Sequence, residues 1–482
     1  MKKLLYIWLL VLTTACNNTK IFEYTSANFE LVSLSEGVYA LIHKLGGKAI
    51  CNTGIIDNGS ETIIFDTFLS PDTALEILHL VDTLNLSPIK YVVNSHWHND
   101  HIRGNQVFPD SVKIISTKKT AEIIALREPI EIASEKQYAP LELKYYDSLL
   151  TNFRGEITSR DYQEILMWKP YYEVLSESHK KVKTRLPNMF IDKSLELNGS
   201  LRKVQLVVEG EGHTESDLIL YLPDDNIVFS GDLIFNSCHP YMGHGSLRGL
   251  KNWYHYLRTL NIETIVPGHG EIGDKQLISN MTNYIESLEQ LADSLHQENQ
   301  PIVSTYSTNI PKAYKDWWFG QFFGPNVNLA YIEYLENDLI KLIEEKLLPD
   351  SNHTFLKTLR PTLEESKAIF KTDEIALKVF EYSELKWNAL ENVSENSMKP
   401  TSPEFKIKIN RASGAQLDYG LTYGLPMEYL KLGSYLKEEV LVFGFEYLNP
   451  DDSSQKSRAA FYRSPERWVF IPQTFKAFED IN

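Results

Sequence analysis

The sequence predicts an α/β fold, two β-sheets packed face to face with helices outside, followed by a small α+β unit. Three observations carry this reading. Short β-branched segments crowd the stretch from Phe29 to Thr67, and the same pattern returns between Val204 and Val266. The segments between and beyond them have helical spacing instead. Two β-rich halves with interspersed helices fit sheets that stack on each other and are covered on their outer faces.

Taken in order, Ile55-Ile56 and Ile63-Ile64-Phe65 flank Asp57-Asn58-Gly59-Ser60, a hairpin turn signal. Thr73 to Leu84 is predicted helical, with Leu75, Ile77, Leu78 and Val81 on one face. Tyr91-Val92-Val93 reads as a buried strand running into Asn94-Ser95-His96. Residues 118–189 are polar and helical and are read as an insertion; such insertions cost little loop-closure entropy and often become lids. Strands follow at Val204 to Val208, Leu218 to Tyr221 and Ile227 to Phe229, with Pro223 to Asn226 as a turn. Thr264-Ile265-Val266 is the last strand of this unit and ends at Pro267-Gly268-His269-Gly270. Helices from Gln276 to His296 and from Leu329 to Leu348 complete a first domain, residues 22–348. Pro349-Asp350-Ser351-Asn352 is the linker candidate. Residues 353–482, with a helix from Thr362 to Leu390 and strands near Phe405, Val440 and Trp468, form the C-terminal α+β domain.

The chain carries 48 Lys plus Arg against 64 Asp plus Glu, a net charge of −16, and no dense basic patch. Nucleic acid is therefore not an expected partner. Cysteine is confined to Cys16, Cys51 and Cys238, which excludes a disulfide framework or a Cys-rich zinc finger. Met1 to Cys16 reads MKKLLYIWLLVLTTAC: two lysines, an apolar run from Leu4 to Leu12 too short to cross a bilayer, and small residues before a cysteine. This resembles a bacterial lipoprotein signal, although Thr13 stands where such signals usually place leucine. The expectation is an exported protein, cleaved and lipid-anchored at Cys16 to a membrane of the cell envelope, facing the periplasm or exterior.

The chemistry is concentrated at strand ends. His96-Trp97-His98-Asn99-Asp100-His101 puts three imidazoles and a carboxylate within six residues, and these are ligands that borderline-hard divalent metals prefer. Gly212-His213-Thr214, Gly231-Asp232 and Gly268-His269-Gly270 each follow a strand, and their glycines let the backbone approach closely. His43, His79, His179, His255, His296 and His353 stand alone and are read as ordinary histidines.

These motifs, together with Asp66 in FDT, resemble the metallo-β-lactamase superfamily over about 42–273. The resemblance implies an αββα sandwich with a dinuclear centre at one edge. His96, His98 and His213 would hold one ion, Asp100, His101 and His269 the other, and Asp232 would bridge them. Asp66 would orient a ligand by hydrogen bonding. Two divalent ions, zinc first and iron or manganese next, would supply a hydroxide that attacks the carbonyl of a small ester, thioester, lactone or amide, with Asp100 or Asp232 relaying the proton.

The best-known β-lactamase subclass has cysteine at the place of Asp232, arginine at the place of His101, and a carboxylate-anchoring lysine where this chain has Phe235. The motif as it stands is closer to thioesterases and lactonases, with β-lactam hydrolysis as one alternative. A persulfide dioxygenase-like enzyme with one iron on His96, His213 and Asp232 is a second. A non-catalytic envelope-binding protein acting through its C-terminal domain is a third. Tyr241 or His239, in the loop after Asp232, are the expected hydrogen-bond donors to substrate. The region from Tyr145 to Tyr172 is expected to overhang the cleft. Trp168, Tyr171, Tyr172, Trp317 and Trp318 are the candidates for an apolar entrance.

Overall fold

The structure is a computed structural model that describes residues 24–390 and 396–479. The export segment expected over 1–16, with Cys16, lies outside the described residues. The first sheet holds β1 (Phe29–Ser35), β2 (Val38–His43), β3 (Thr53–Asp57), β4 (Thr62–Phe65), β5 (Ile89–Val93), β6 (Lys113–Ser116) and β7 (Met189–Phe190), in that spatial order. Its first four strands are an antiparallel meander, and the last four run parallel. The second sheet has β8 (Ser194–Asn198), β9 (Lys203–Gly210), β10 (Asp217–Leu222), β11 (Ile227–Phe229) and β12 (Thr264–Val266), with β11 and β12 parallel.

Period-two alternation decides which side chains meet between the sheets. Val38, Ala40 and Ile42 on β2 and Ile63 and Phe65 on β4 face Leu218, Leu220 and Leu222 on β10 in one buried cluster. The odd partners point outward. Leu41, Ile55 and Ile64 pack on α1 (Pro71–Thr83) through Ala74, Ile77 and Leu80. Ile219, Tyr221 and Val228 pack under α5 (Leu247–Thr259) and α6 (Gln276–Gln297). Both faces are thus covered, and β3, β4 and β10 are buried along their whole length. The fold is the predicted αββα sandwich. The β3–β4 turn is also as predicted: Gly59 has φ +90°, and the Asn58 side chain accepts from Ser60 and Glu61 amides.

Between β5 and β6 a short α2 (Asn99–Ile102) interrupts the sandwich. After β6 the insertion forms two helices, α3 (Lys118–Asn152) and α4 (Arg160–Lys181), packed on each other. Their attachment is apolar and polar together: Ile123 and Ile124 of α3 pack with Trp97 and Ile102, Ala139 and Leu175 pack with Leu69, and the Arg103 guanidinium, 2% exposed, binds Glu128 and Glu135 of α3 at 2.7–2.9 Å.

The chain continues with α7 (Phe323–Leu342), α8 (Leu363–Ile369), α9 (Asp373–Leu390) and α10 (Gly414–Asp418). The last sheet runs β13 (Lys406–Ser413), β14 (Leu441–Leu448), β15 (Ser454–Arg463) and β16 (Trp468–Phe470). Alternation along β14 gives this sheet two loyalties. Val442 faces α9 and its neighbours, whereas Leu441, Phe443, Phe445 and Tyr447 enter the same apolar cluster as α5, α6 and α7. Trp468 Nε1 donates to Asp338 at 2.7 Å and Arg411 pairs with Glu336 at 2.5 Å, both on α7. Among the described residues no helix is long and apolar enough to cross a membrane.

Candidate metal centre

The sandwich brings strand ends to one edge, and each motif sits on one of them. His96 and His98 leave β5, Asp100 and His101 follow on α2, His213 lies between β9 and β10, Asp232 follows β11 and His269 follows β12. Donor atoms converge in two groups, His96, His98, His213 and Asp232 in one and Asp100, His101 and His269 in the other, each within 4.8 Å. Asp232 reaches both: Oδ2 is 3.2 Å from His213 Nε2, and Oδ1 is 3.1 Å from His101 Nε2. Asp100 Oδ2 is 3.3 Å from His269 Nε2.

Two glycines make this convergence possible. Gly231 has φ +52°, and a Cβ there would lie 2.6 Å from the Ser95 Cβ. A Cβ on Gly268 would lie 1.9 Å from Asp232 Oδ1. Neither position has room for a side chain.

Behind the donors lies a set of hydrogen bonds that aims them. Asp66, held at φ +62°, accepts from the Ser95 amide at 2.8 Å and the Ser95 hydroxyl at 2.7 Å, and its Oδ2 is 2.8 Å from His101 Nδ1. The Ser95 hydroxyl also meets His96 Nδ1 at 2.8 Å. Both imidazoles therefore turn Nε2 toward the centre. His98 presents Nδ1, because its Nε2 is engaged by His244 Nδ1 at 2.9 Å.

Burial lowers the pKa of His96, His98 and His213, the last to about 4, so these rings are neutral with a lone pair free. His269 goes the other way: burial lowers it, but the Asp232 and Asp100 carboxylates outweigh that and raise it to about 9. Burial opposes the charge of Asp232, and the surrounding His269, His101 and His213 hold it ionised. His96 Nε2, His101 Nε2 and Asp232 Oδ1 are buried with no hydrogen-bond partner. Leaving such atoms unsatisfied costs about 1–3 kcal/mol each. A His/Asp donor set facing inward without partners fits divalent metal, and these groups are able to bind metal ions.

Above the donors is a cavity of about 420 Å³, walled by Met167, Trp168, Tyr171, Phe235, Phe319 and Phe322 among others. The helical insertion overhangs it, through Glu131, Ser134, Glu135 and Tyr138 of α3 as well as α4. Of the aromatics expected there, Trp168 and Tyr171 line it. Tyr172 packs instead against Tyr146 and Trp168, while Trp317 stacks on Tyr284 and Trp318 lies under Arg160.

Tyr241 lines the cavity, its ring 6.1 Å from that of His98. Burial raises its phenol above the ordinary range, which keeps the proton on. His239 must be corrected. It is fully buried, 2.9 Å from the Tyr284 hydroxyl and 3.1 Å from the Tyr314 carbonyl, and it packs against Trp317 and Phe323. It belongs to the core beneath the loop and not to the cavity wall. Cys51 and Cys238 are free buried thiols, and Cys51 donates to the Asp100 carbonyl at 2.9 Å.

His244, Glu131 and Glu135 line the cavity without having been singled out by the sequence. The signal for His244 was present, since Gly243-His244-Gly245 repeats the device of Gly268-His269-Gly270. The two glutamates sit on a polar helix whose charges all look alike in one dimension.

Comparison with known proteins agrees with this geometry. Residues 46–269 match the family model described as the Metallo-beta-lactamase superfamily. "Metallo-beta-lactamase type 2" of Bacillus cereus is 22% identical over 270 residues, which is 54% of this chain and 83% of that protein. "Beta-lactamase-like protein 2 homolog" of Caenorhabditis elegans is 24% identical over 278 residues, 55% of this chain and 72% of that protein. The solved metallo-beta-lactamase from Pontibacter korlensis is 16% identical, covers 54% of this chain and 99% of its own, and superposes with a TM-score of 0.38. The family match spans the strand ends that carry all seven donor residues, and the αββα part of this chain has the metallo-beta-lactamase superfamily fold.

Proposed function

We propose that the protein is a metal-dependent hydrolase that holds two divalent ions and cleaves the carbonyl of an ester, thioester, lactone or amide. The observation that carries this is the Asp232 carboxylate, which reaches both donor groups: Oδ2 lies 3.2 Å from His213 Nε2 and 3.5 Å from His269 Nε2, and Oδ1 lies 3.1 Å from His101 Nε2. His96, His98 and His213 would hold one ion, preferably zinc, and Asp100, His101 and His269 the other. Bound there, two such ions supply hydroxide near neutral pH and polarise a carbonyl oxygen.

The chain's own residues do the rest. The aromatic walls exclude water and hold the substrate body against the donors. The Tyr241 phenol, kept protonated by burial, is a donor for the oxygen on which charge develops. Asp100, whose Oδ2 lies 3.3 Å from His269 Nε2, is placed to take the proton of water and return it to the leaving atom. In balance, the acyl–heteroatom bond breaks, the carbonyl carbon gains OH and the leaving atom gains H. The name of the Bacillus cereus relative makes β-lactams one substrate class to try, although Phe235, stacked on His269 at 5.2 Å, stands where an anchoring cation would be needed.

We also propose export and lipid anchoring at Cys16, which the pattern MKKLLYIWLLVLTTAC supports. Elemental analysis of protein beginning after Cys16 tests the metal reading. Two zinc ions per chain, lost in part by Asp232→Ala together with hydrolysis of lactones or thioesters, is the expected result. One tightly held iron would favour the dioxygenase alternative, and protein that refuses all added metal would overturn both.

A further inference from the structure

The cavity above the donors is unusual in its charge. Among the described residues, neither lysine nor arginine lines it. The nearby cations are already engaged. Arg103 is locked to Glu128 and Glu135, Arg127 lies 4.7 Å over the Trp97 ring, 3.8 Å from Glu215 and 3.1 Å from Nε2 of the cavity residue His244, and Arg160 lies 3.4 Å over Trp318. Four carboxylates do line it. Asp100 and Asp232 belong to the donor groups and Glu135 to Arg103. Glu131 is left over: among the described residues it makes no hydrogen bond and no ion pair.

A half-buried carboxylate without a partner is costly, and a cationic ligand removes the cost. Tyr138, Tyr171, Trp168 and Tyr241 line the same cavity, and aromatic rings also favour positive charge. From this we infer that the substrate has an apolar body between its scissile carbonyl and a basic group, an ammonium or amidinium, which seats against Glu131. This rests on the hydrolase reading and names its substrate class. Glu131 acts as a specificity-determining residue, since an anionic tail placed there would meet a like charge and no cation.

The electrostatics agree with the geometry. Burial first, and then the neighbouring Glu128, raise Glu131 to about 7, with Arg103 and Arg127 opposing. Tyr241, from the loop after β11, lines the same cavity.

The test uses metal-loaded protein and three aryl esters sharing one scissile carbonyl and one apolar spacer, ending in trimethylammonium, tert-butyl or carboxylate. Hydrolysis-resistant ketone analogues of each are titrated by calorimetry in parallel. The expected result is a kcat/KM at least tenfold higher for the ammonium than for the carboxylate ester. That ratio should shrink to within about threefold in Glu131→Gln and invert in Glu131→Lys, and the analogue affinities should follow the same order. If no ester is cleaved but the ammonium analogue binds in a Glu131-dependent way, the substrate class stands and the hydrolase reading falls. If esters are cleaved with no preference for the ammonium, or with a preference that Glu131→Gln leaves intact, the proposal is overturned while the hydrolase reading stands. Failure of every analogue to bind overturns it as well.

Discussion

Asp66 ties two imidazoles to one carboxylate, directly at His101 and through the Ser95 hydroxyl at His96. Asp66→Asn keeps the shape but offers an amide where His101 Nδ1 needs an acceptor. Metal affinity should fall about 10–100-fold, read by competition with a chromogenic chelator, with little change in fold. Gly268→Ala should be as damaging for a steric reason, because the new methyl would displace Asp232. Metal stoichiometry below that of the parent protein is the expected readout, and unchanged stoichiometry would show that the loop can give way. Glu131 makes a prediction about pH. Its carboxyl, at about 7, is mostly protonated at pH 6 and ionised at pH 8. Preference for the ammonium ester over its tert-butyl counterpart should therefore grow several-fold across that range and be flat in Glu131→Gln.

At the scale of elements, the insertion adds buried ion pairs to the apolar contacts that hold it on the sandwich. Arg103→Leu would take the guanidinium from Glu128 and Glu135, both at most 3% exposed, and leave Glu135 only the Asn99 amide at 3.3 Å. About 3–5 kcal/mol of stability should be lost, seen in urea unfolding. The cavity roof should loosen with it, since both glutamates belong to α3. Elements with a strong period or turn were legible in advance: the β3–β4 hairpin, α1, α6 and every strand end that carries a ligand. Others were not, α5 and β15 among them. Helix α5 has Leu247, Leu250, Trp253, Tyr254 and Leu257 at helical spacing, with the Ser246 cap, but it lies inside a glycine-rich stretch that reads as loop. Strand β15 begins Ser454-Gln455-Lys456-Ser457, a polar start whose place in the sheet is fixed only by pairing with β14. The donor residues were readable because their spacing is local. His239 was misjudged because proximity to Asp232 in sequence says nothing about which face of the loop meets the core.

For the whole molecule, the sheet of β13 to β16 is no appendage, because its inner face completes the cluster that covers α5, α6 and α7. A chain ending at Leu348 would expose Val327, Leu335, Leu339 and Ile343, all now buried. Such a protein should bind hydrophobic dyes, aggregate and melt at lower temperature, whereas a soluble fragment with undiminished metal content would contradict this. Residues beyond the family match do line the cavity, through Phe319 and Phe322.

The shared core also sets an order of events during synthesis. Ribosomes make the amino-terminal half first, so the apolar faces of α5 to α7 emerge while Phe443, Phe461 and Trp468 do not yet exist. At about 5–20 residues per second, the stretch from Leu342 to Trp468 takes roughly 6–25 s to follow. Throughout that interval the nascent protein holds a sticky, unfinished surface that cannot close on itself.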